Sequence, residues 1–417
     1  MQGYSDIDLL KLSTIRGYYE LFTADPDLRF VNMFGTGKSE TDEIKWDSHV
    51  GSRGMVALKG PGQETPMGAG RGIAQHTAKV AFMGEKRYYD EEFLNNLRKP
   101  GTTAEKMVAE QKLGKEQAEM ANMTLRRREW MIAQMMVNNG FTYKSTGNTT
   151  VSIDYGIPDA QQVTVTAAKS WDAGADKTIL ADFNTGNRAV RDACGATVVR
   201  AMSNSGVLEY ISADNDILTL LSKSTFGKGD LFSGNVNELI NANPSVIGNL
   251  FHKNLTYEVY DEMYEVRANL TAVVTKDSTV IISVDDAADF EVGGTLTFTD
   301  VSEGTTEKET ISAVDEDAGT VTVSTAPSSS YKATEDYVSM FRPFIPDDYI
   351  IFFAEKVNSQ PIAKIIEAPY GVSPARYGMY AKRWERTDPE GIWLRVEDKC
   401  LPVLFTTGAV YILKVTP

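Results

Sequence analysis

Few side chains in this sequence are spaced for chemistry, and each such group has a specific shortfall. Gly35-Thr-Gly-Lys-Ser39 reproduces the second half of a phosphate-binding loop, Gly-x-x-x-x-Gly-Lys-Ser/Thr. The first glycine of that pattern would fall at position 32, which is Asn32. Such a loop must also open a helix, whose amino terminus helps hold the phosphate. Here Glu40 to Glu43 and a β-like Ile44–Trp46 follow instead. Gly68-Ala-Gly-Arg-Gly72 has glycine spacing but no hydrophobic helix behind it, so it reads as a loop. His49, His76 and His252 stand in no sequence pattern with a nucleophile or a metal ligand. Cys194 and Cys400 fit no zinc spacing and read as buried free thiols. Asp285, Asp286 and Asp289 lack the spacing of a calcium loop and read as solvated acid. Arg126-Arg127-Arg128 reads as a solvated helix face, with a neighbouring subunit's carboxylates as the preferred partner. The sequence therefore assigns no catalytic residue, no cofactor and no metal ligand.

The bulk numbers set the frame. The chain has 417 residues, 42% hydrophobic and 24% charged, enough for two to four domains with ordinary cores. Its net charge of −15 argues against a surface built to wrap nucleic acid, though not against enclosing it. Met1 to Leu10 lacks the pattern of a signal peptide, and no run reaches the ~18 apolar residues of a membrane span.

The dominant element is a predicted helix over residues 102–139. Thr102 and Glu105 form a capping box, and Gly140 after two asparagines marks its end. Ala118, Ala121, Leu125, Ile132 and Met136 fall on one face, with Trp130, Met131 and Met135 as further core material. At ~1.5 Å per residue its span would be roughly 57 Å, longer than a compact domain needs. Residues 1–42 read as an arm, with a helix near Asp6–Tyr19 and a strand at Phe30–Phe34. Residues 43–81 are crowded with glycine and proline and read as a long hairpin-like excursion that cannot bury itself. Asp182–Ser203 reads as a helix, and Val236–Asn241 as a short element. Tyr377–Glu385, Ile392–Val396 and Val403–Val415 read as strands returning to pair with those that follow the long helix.

At Ala268 the composition changes. Residues 268–339 are rich in Thr, Val and Ser, and carry 14 acidic residues against three lysines, a net −11. Short strands separated by Gly293-Gly294 and Asp317-Ala318-Gly319 predict a small barrel or sandwich. Its predicted core is Val280, Ile282, Phe290, Leu296, Phe298, Ile311 and Val321, entered after Glu265-Val266-Arg267 and left before Phe341.

This order of parts resembles the major capsid proteins of tailed bacteriophages, and within them the lambda gpE-type branch. The residues that carry the resemblance are Phe344-Ile-Pro-Asp-Asp-Tyr-Ile350, Tyr377-Gly378, Trp384, Asp388-Pro-Glu-Gly391, Leu401-Pro-Val-Leu404 and the basic helix segment Arg126–Trp130. The resemblance implies an α+β, HK97-like capsid fold with an added all-β domain. Its parts would be an N-terminal arm (1–42), an extended loop (43–81), a peripheral domain (82–167 and 375–417) holding the spine helix, an axial domain (168–267 and 341–374) and the acidic insertion (268–340). It also implies a non-enzymatic shell protein assembling with itself as hexamers and pentamers in the host cytoplasm. The virion shell would enclose double-stranded DNA, with a separate scaffolding protein, a portal, room for a decoration protein, and no membrane. The insertion is the expected departure from the family.

Expected inter-subunit contacts are Met55, Val56, Leu58 and Met67 in the extended loop and Arg127 on the helix; Ala121, Leu125 and Ile132 are its expected core. The rival readings are an encapsulin-like compartment, a phage tail or adhesin protein, and a nucleotide-dependent enzyme using Gly37–Ser39.

Overall fold

The computed structural model describes residues 11–49, 55, 58–61, 64, 73–98, 103–145, 149–172, 176–223, 255–371, 375–388 and 390–417. The chain divides into two compact units, Met1–Tyr260 with Asp347–Pro417, and Asp261–Pro346.

The first unit is built on a helix from Thr103 to Val137, 35 residues and about 52 Å at ~1.5 Å per residue. The capping box expected at its start begins at Thr102, outside the described residues. At its end the left-handed residue is Asn139 (φ 57°), not Gly140. Gly140 is required for another reason: a Cβ there would sit 2.1 Å from the Ile153 carbonyl oxygen, on the hairpin partner strand. The helix is also not one-faced throughout. From Arg128 to Val137 every residue but Gln134 is buried.

That helix lies against a five-stranded sheet whose hub is the long strand Glu390–Leu404. Tyr380–Thr387 and Ala363–Glu367 pair with it antiparallel, Ala81–Asp90 runs antiparallel to it as well, and Thr36–Lys38 adds parallel to Ala363–Glu367. Apolar residues alternate along the hub, placing Ile392, Leu394 and Val396 with Met120, Ala121, Tyr89 and Ala381 in one core. The arm joins this core through Ile15 and Tyr19 on the helix Leu12–Leu21, so it does not stand off. Arg29–Met33 is a helix, not the expected strand.

A second sheet of the same unit has the order Gln162–Thr164, Val410–Lys414, Tyr349–Phe353, Arg200–Ser203, Thr256–Val259. The helix Ile179–Cys194 packs on it, with Phe183 edge-on to Phe352 at 5.1 Å. It ends earlier than expected because Gly195 is a left-handed cap (φ 75°), and Ala201 lies on a strand. Val236–Asn241 lies outside the described residues. The carboxy-terminal strands find other partners than expected. The expected strand Val403–Val415 is divided by the turn Thr407–Ala409, its start ending the hub strand and Val410–Lys414 pairing with Gln162–Thr164; among the described residues Gly140–Ser145 and Thr149–Asp154 pair with each other.

The second unit is a six-stranded sheet, in the order Met263–Asn269, Tyr337–Pro343, Thr295–Asp300, Thr305–Asp315, Thr320–Val323, Ile281–Ser283. A bridge from Leu270 to Val284 joins its two edges, closing it as a barrel. Ile282, Phe290, Leu296, Phe298, Ile311 and Val321 are buried inside with Leu270, Tyr331, Val338 and Met340. Val280 is not: it is 39% exposed. The unit is wider than the compositional break because Met263–Asn269 and Tyr337–Pro343 are two of its walls, paired residue by residue from Met263 with Pro343 to Asn269 with Tyr337.

Candidate functional site

The phosphate-loop fragment is removed by its own secondary structure. Thr36–Lys38 is a strand paired with Ile365–Glu367, and Lys38 reaches over the Tyr377 ring at 4.9 Å. Cys194 and Cys400 are buried and free; burial pushes the Cys400 thiol well above its ordinary range. Asp285 accepts hydrogen bonds from the backbone and side-chain nitrogens of Asn269, fastening the barrel. Among the described residues no group of three or more His, Cys, Asp or Glu is arranged to hold a metal, and no helix is long and apolar enough to cross a membrane.

The root of the extended loop is an antiparallel pair, Glu43–Ser48 with Ala74–Lys79. Its alternation buries Ile44, Trp46 and Ser48, so this part of the excursion does find a core in its own chain. Trp46 stacks on His76 at 5.2 Å and lies 6.1 Å from Tyr155, whose hydroxyl donates to the Pro402 carbonyl. Ser48 Oγ and His76 Nε2 are 2.8 Å apart and Ser48 is buried, so the pair pins the two strands of the hairpin together. His49 is held in a bridge to Thr406; His252 lies outside the described residues. Beyond the root, Met55 and Leu58 are almost wholly exposed, at 95% and 103%, and Ile73 is 63% exposed. Val56 and Met67 lie outside the described residues.

On the long helix, Ala121, Leu125 and Ile132 are buried. The arginine triplet divides. Arg126 and Arg127 are exposed, Arg127 lying over the Trp130 ring at 4.5 Å. Arg128 is buried, contrary to the solvated face expected for all three. Its Nε and Nη2 donate to the two Asp398 carboxylate oxygens at 2.5 and 2.9 Å, and Nη2 also donates to Glu367 at 2.9 Å. Burial pulls the guanidinium pKa down, yet the Asp398 and Glu367 charges hold it well above its ordinary value. The next residue, Glu129, is fully buried and turned to another neighbour. Its carboxylate accepts the Phe30 and Val31 N–H groups at 2.8 and 2.7 Å and the Tyr260 hydroxyl at 2.6 Å. Successive helix residues point about 100° apart, so one Arg-Glu dipeptide fastens the sheet on one side and the arm on the other. The triplet showed cations to the sequence reading, but nothing local tells a solvated arginine from one whose carboxylates are more than 200 positions away. The one available signal is that Arg128 falls four before Ile132 and seven after Ala121, on the apolar stripe.

This geometry ties the long helix to the sheet and to the arm. Residues 21–298 and 328–415 match the profile of the family described as Phage major capsid protein E. The match runs through most of the acidic unit, so the departure from the family narrows to residues 299–327. No curated protein matches in sequence. Among solved structures, a protein assigned as the capsid protein of an E. coli CFT073 prophage aligns over 97% of each chain, at 14% identity and a TM-score of 0.51. A phage-related protein from Bordetella bronchiseptica RB50 covers 97% of this chain and 96% of its own, at 9% identity and a TM-score of 0.48. The encapsulin of the holo-SrpI complex from Synechococcus elongatus PCC 7942 covers 94% and 89%, at 8% and 0.42. With a long helix laid across a hub-stranded sheet, and the family profile matched over most of its length, the chain has the HK97-like fold and belongs to the phage major capsid protein E family, the shell-forming proteins of the virion.

Proposed function

We propose that this subunit assembles as hexamers and pentamers into an icosahedral shell that encloses double-stranded DNA. The observation that carries the reading is the extended loop. Its root is locked to the body by Trp46, while Met55 and Leu58 beyond it are bare. Large apolar side chains left in water gain roughly 1.5–3 kcal/mol each on burial, and symmetry repeats that gain around every ring. Met55, Val56, Leu58 and Met67 are the proposed contacts on an adjacent subunit, and Arg127 a charged one. Assembly in the host cytoplasm, on a separate scaffolding protein and around a portal, belongs to the same reading. The acidic barrel stands on the outer face as a built-in decoration. The −11 charge of residues 268–339 would repel packaged phosphate within the ~10 Å screening length if the barrel faced inward.

Electron microscopy of the purified protein tests this directly. Closed shells are expected, and the same shells without outer knobs when Ala268–Ser339 is replaced by a Gly-Ser linker. Wild-type protein that stays as single particles or rolls into open tubes would overturn the shell, and density lost from the inner face would overturn the placement of the barrel.

A further inference from the structure

Strands Ala81–Asp90, Glu390–Leu404 and Tyr380–Thr387 bury one face in the core shared with the long helix. Their other face has a composition unlike the rest of this acidic chain. Cross-strand register places Tyr88 beside Trp393 and Trp393 beside Trp384, and the row above carries Lys86, Arg395 and Lys382. The rings form a continuous strip: Tyr88 to Trp393 at 5.0 Å, Trp393 stacked on Trp384 at 6.2 Å. Lys86 Nζ lies 5.1 Å over Trp393, and Arg395 lies 5.7 Å over Trp384. Arg395 is neutralised within the face by Glu397. Lys86, Lys382 and Arg386 are exposed, and Arg386 spends one N–H on the Asp388 carbonyl. Trp384 is 40% exposed.

We propose that this face is an inter-subunit docking surface whose occupant is an acidic patch of a second copy of the chain. The inference rests on the shell-forming reading above. Two features select the occupant. Residues 268–339 hold −11 of the chain's net −15, so each copy offers an acidic surface complementary to a basic face. Packed Trp, Tyr and Arg are the residues that dominate protein–protein contact energies. Duplex DNA is the other polyanion to weigh, but its bases are paired, so phosphate contact would leave a stacked tryptophan strip without a role.

Two variants test it, the triple Lys86→Glu, Lys382→Glu, Arg386→Glu and the single Trp384→Ser. Both change exposed side chains, and thermal melting of the subunit checks that they fold as wild type. Shell yield, read by sedimentation and electron microscopy, should fall about tenfold or more in the triple variant, and wild-type assembly should weaken as salt rises. A photo-reactive phenylalanine placed at position 384 should cross-link to an acidic segment of another copy, a readout that stands even if the triple variant misfolds. Wild-type yields from both variants, or a cross-link found only on DNA or on no partner, would overturn the surface while leaving the shell-forming reading intact. Variants that build normal shells but lose retention of duplex DNA would reassign the face to nucleic acid. Wild-type protein that forms no shells would bring down both readings together.

Discussion

Arg128 and Asp398 are joined by two near-parallel N–H···O bonds although 270 positions of chain separate them. Asp398 is fully buried and Arg128 nearly so, so neither has water to fall back on. Asp398 also accepts the Lys399 N–H, and Glu367 takes the remaining reach of Arg128. A buried pair of this kind is weak evidence for net stability but strong evidence for mutual dependence.

Arg128→Met or Asp398→Ala alone should therefore destabilise the subunit by about 3–5 kcal/mol, because each strands the opposite charge. Arg127→Ala, on the same helix but in water, should cost about 1 kcal/mol or less. Urea unfolding of unassembled subunits distinguishes them, and equal midpoints for Arg127→Ala and Arg128→Met would refute the assignment.

Glu129→Gln removes a charge from two backbone N–H groups and a hydroxyl, and should cost about 1–3 kcal/mol. The loss should be local as well as global. Amide exchange at Phe30 and Val31 should speed up before that of the sheet, and unchanged protection there would contradict the clamp.

Leu125→Ala and Ile132→Ala each open a cavity in a buried stretch of the long helix, and should lower subunit stability by about 2–5 kcal/mol. Thermal unfolding at the wild-type midpoint would show that these positions collapse without loss or are not packed as described.

Acid should act on the barrel through Glu307. Burial pushes its carboxyl up, but the Ser328 and Ser329 N–H groups and the Tyr331 hydroxyl hold it below the ordinary 4.5. A carboxylate lowered in the folded state stabilises above its unfolded pKa, and that contribution is lost as pH falls through the folded value. Wild type should accordingly exceed Glu307→Gln in stability at pH 7, with the gap closing below 4.5. A gap independent of pH would point to shape, not charge.

Met55→Asp with Leu58→Asp should leave a soluble, folded subunit that does not assemble. Their present exposure means the subunit itself loses nothing, so normal shells from the double variant would remove the extended loop from the interface.

Local pattern was legible in the sequence where the signal is local. The long helix and six of the seven barrel core residues follow from periodicity and composition. Partner choice was not. Tyr377–Glu385 and Ile392–Val396 read as strands, but the pairing of Glu390–Leu404 with Ala81–Asp90 depends on residues some 300 positions earlier, across the whole helix. Arg128 was read as solvated for the same reason, since its counter-groups Asp398 and Glu367 lie on other elements. Phe30–Phe34 was misread because its apolar residues suit a strand, whereas Glu129 offers two N–H groups the partner that a helix start needs.

The hub strand Glu390–Leu404 has a consequence for how the protein is made. Its neighbour Ala81–Asp90 leaves the ribosome roughly 300 residues earlier, on the order of 15–60 s at ~5–20 residues per second. Val410–Lys414 stands in the same relation to the second sheet, seated inside it and translated after its other strands. An emerging polypeptide thus holds unfinished edges in both sheets until Glu390–Leu404 and Val410–Lys414 have been translated. A polypeptide that stops before residue 390 lacks the strand on which both Ala81–Asp90 and Tyr380–Thr387 pair, so truncation at the carboxy-terminal side unmakes a sheet begun near the amino-terminal one.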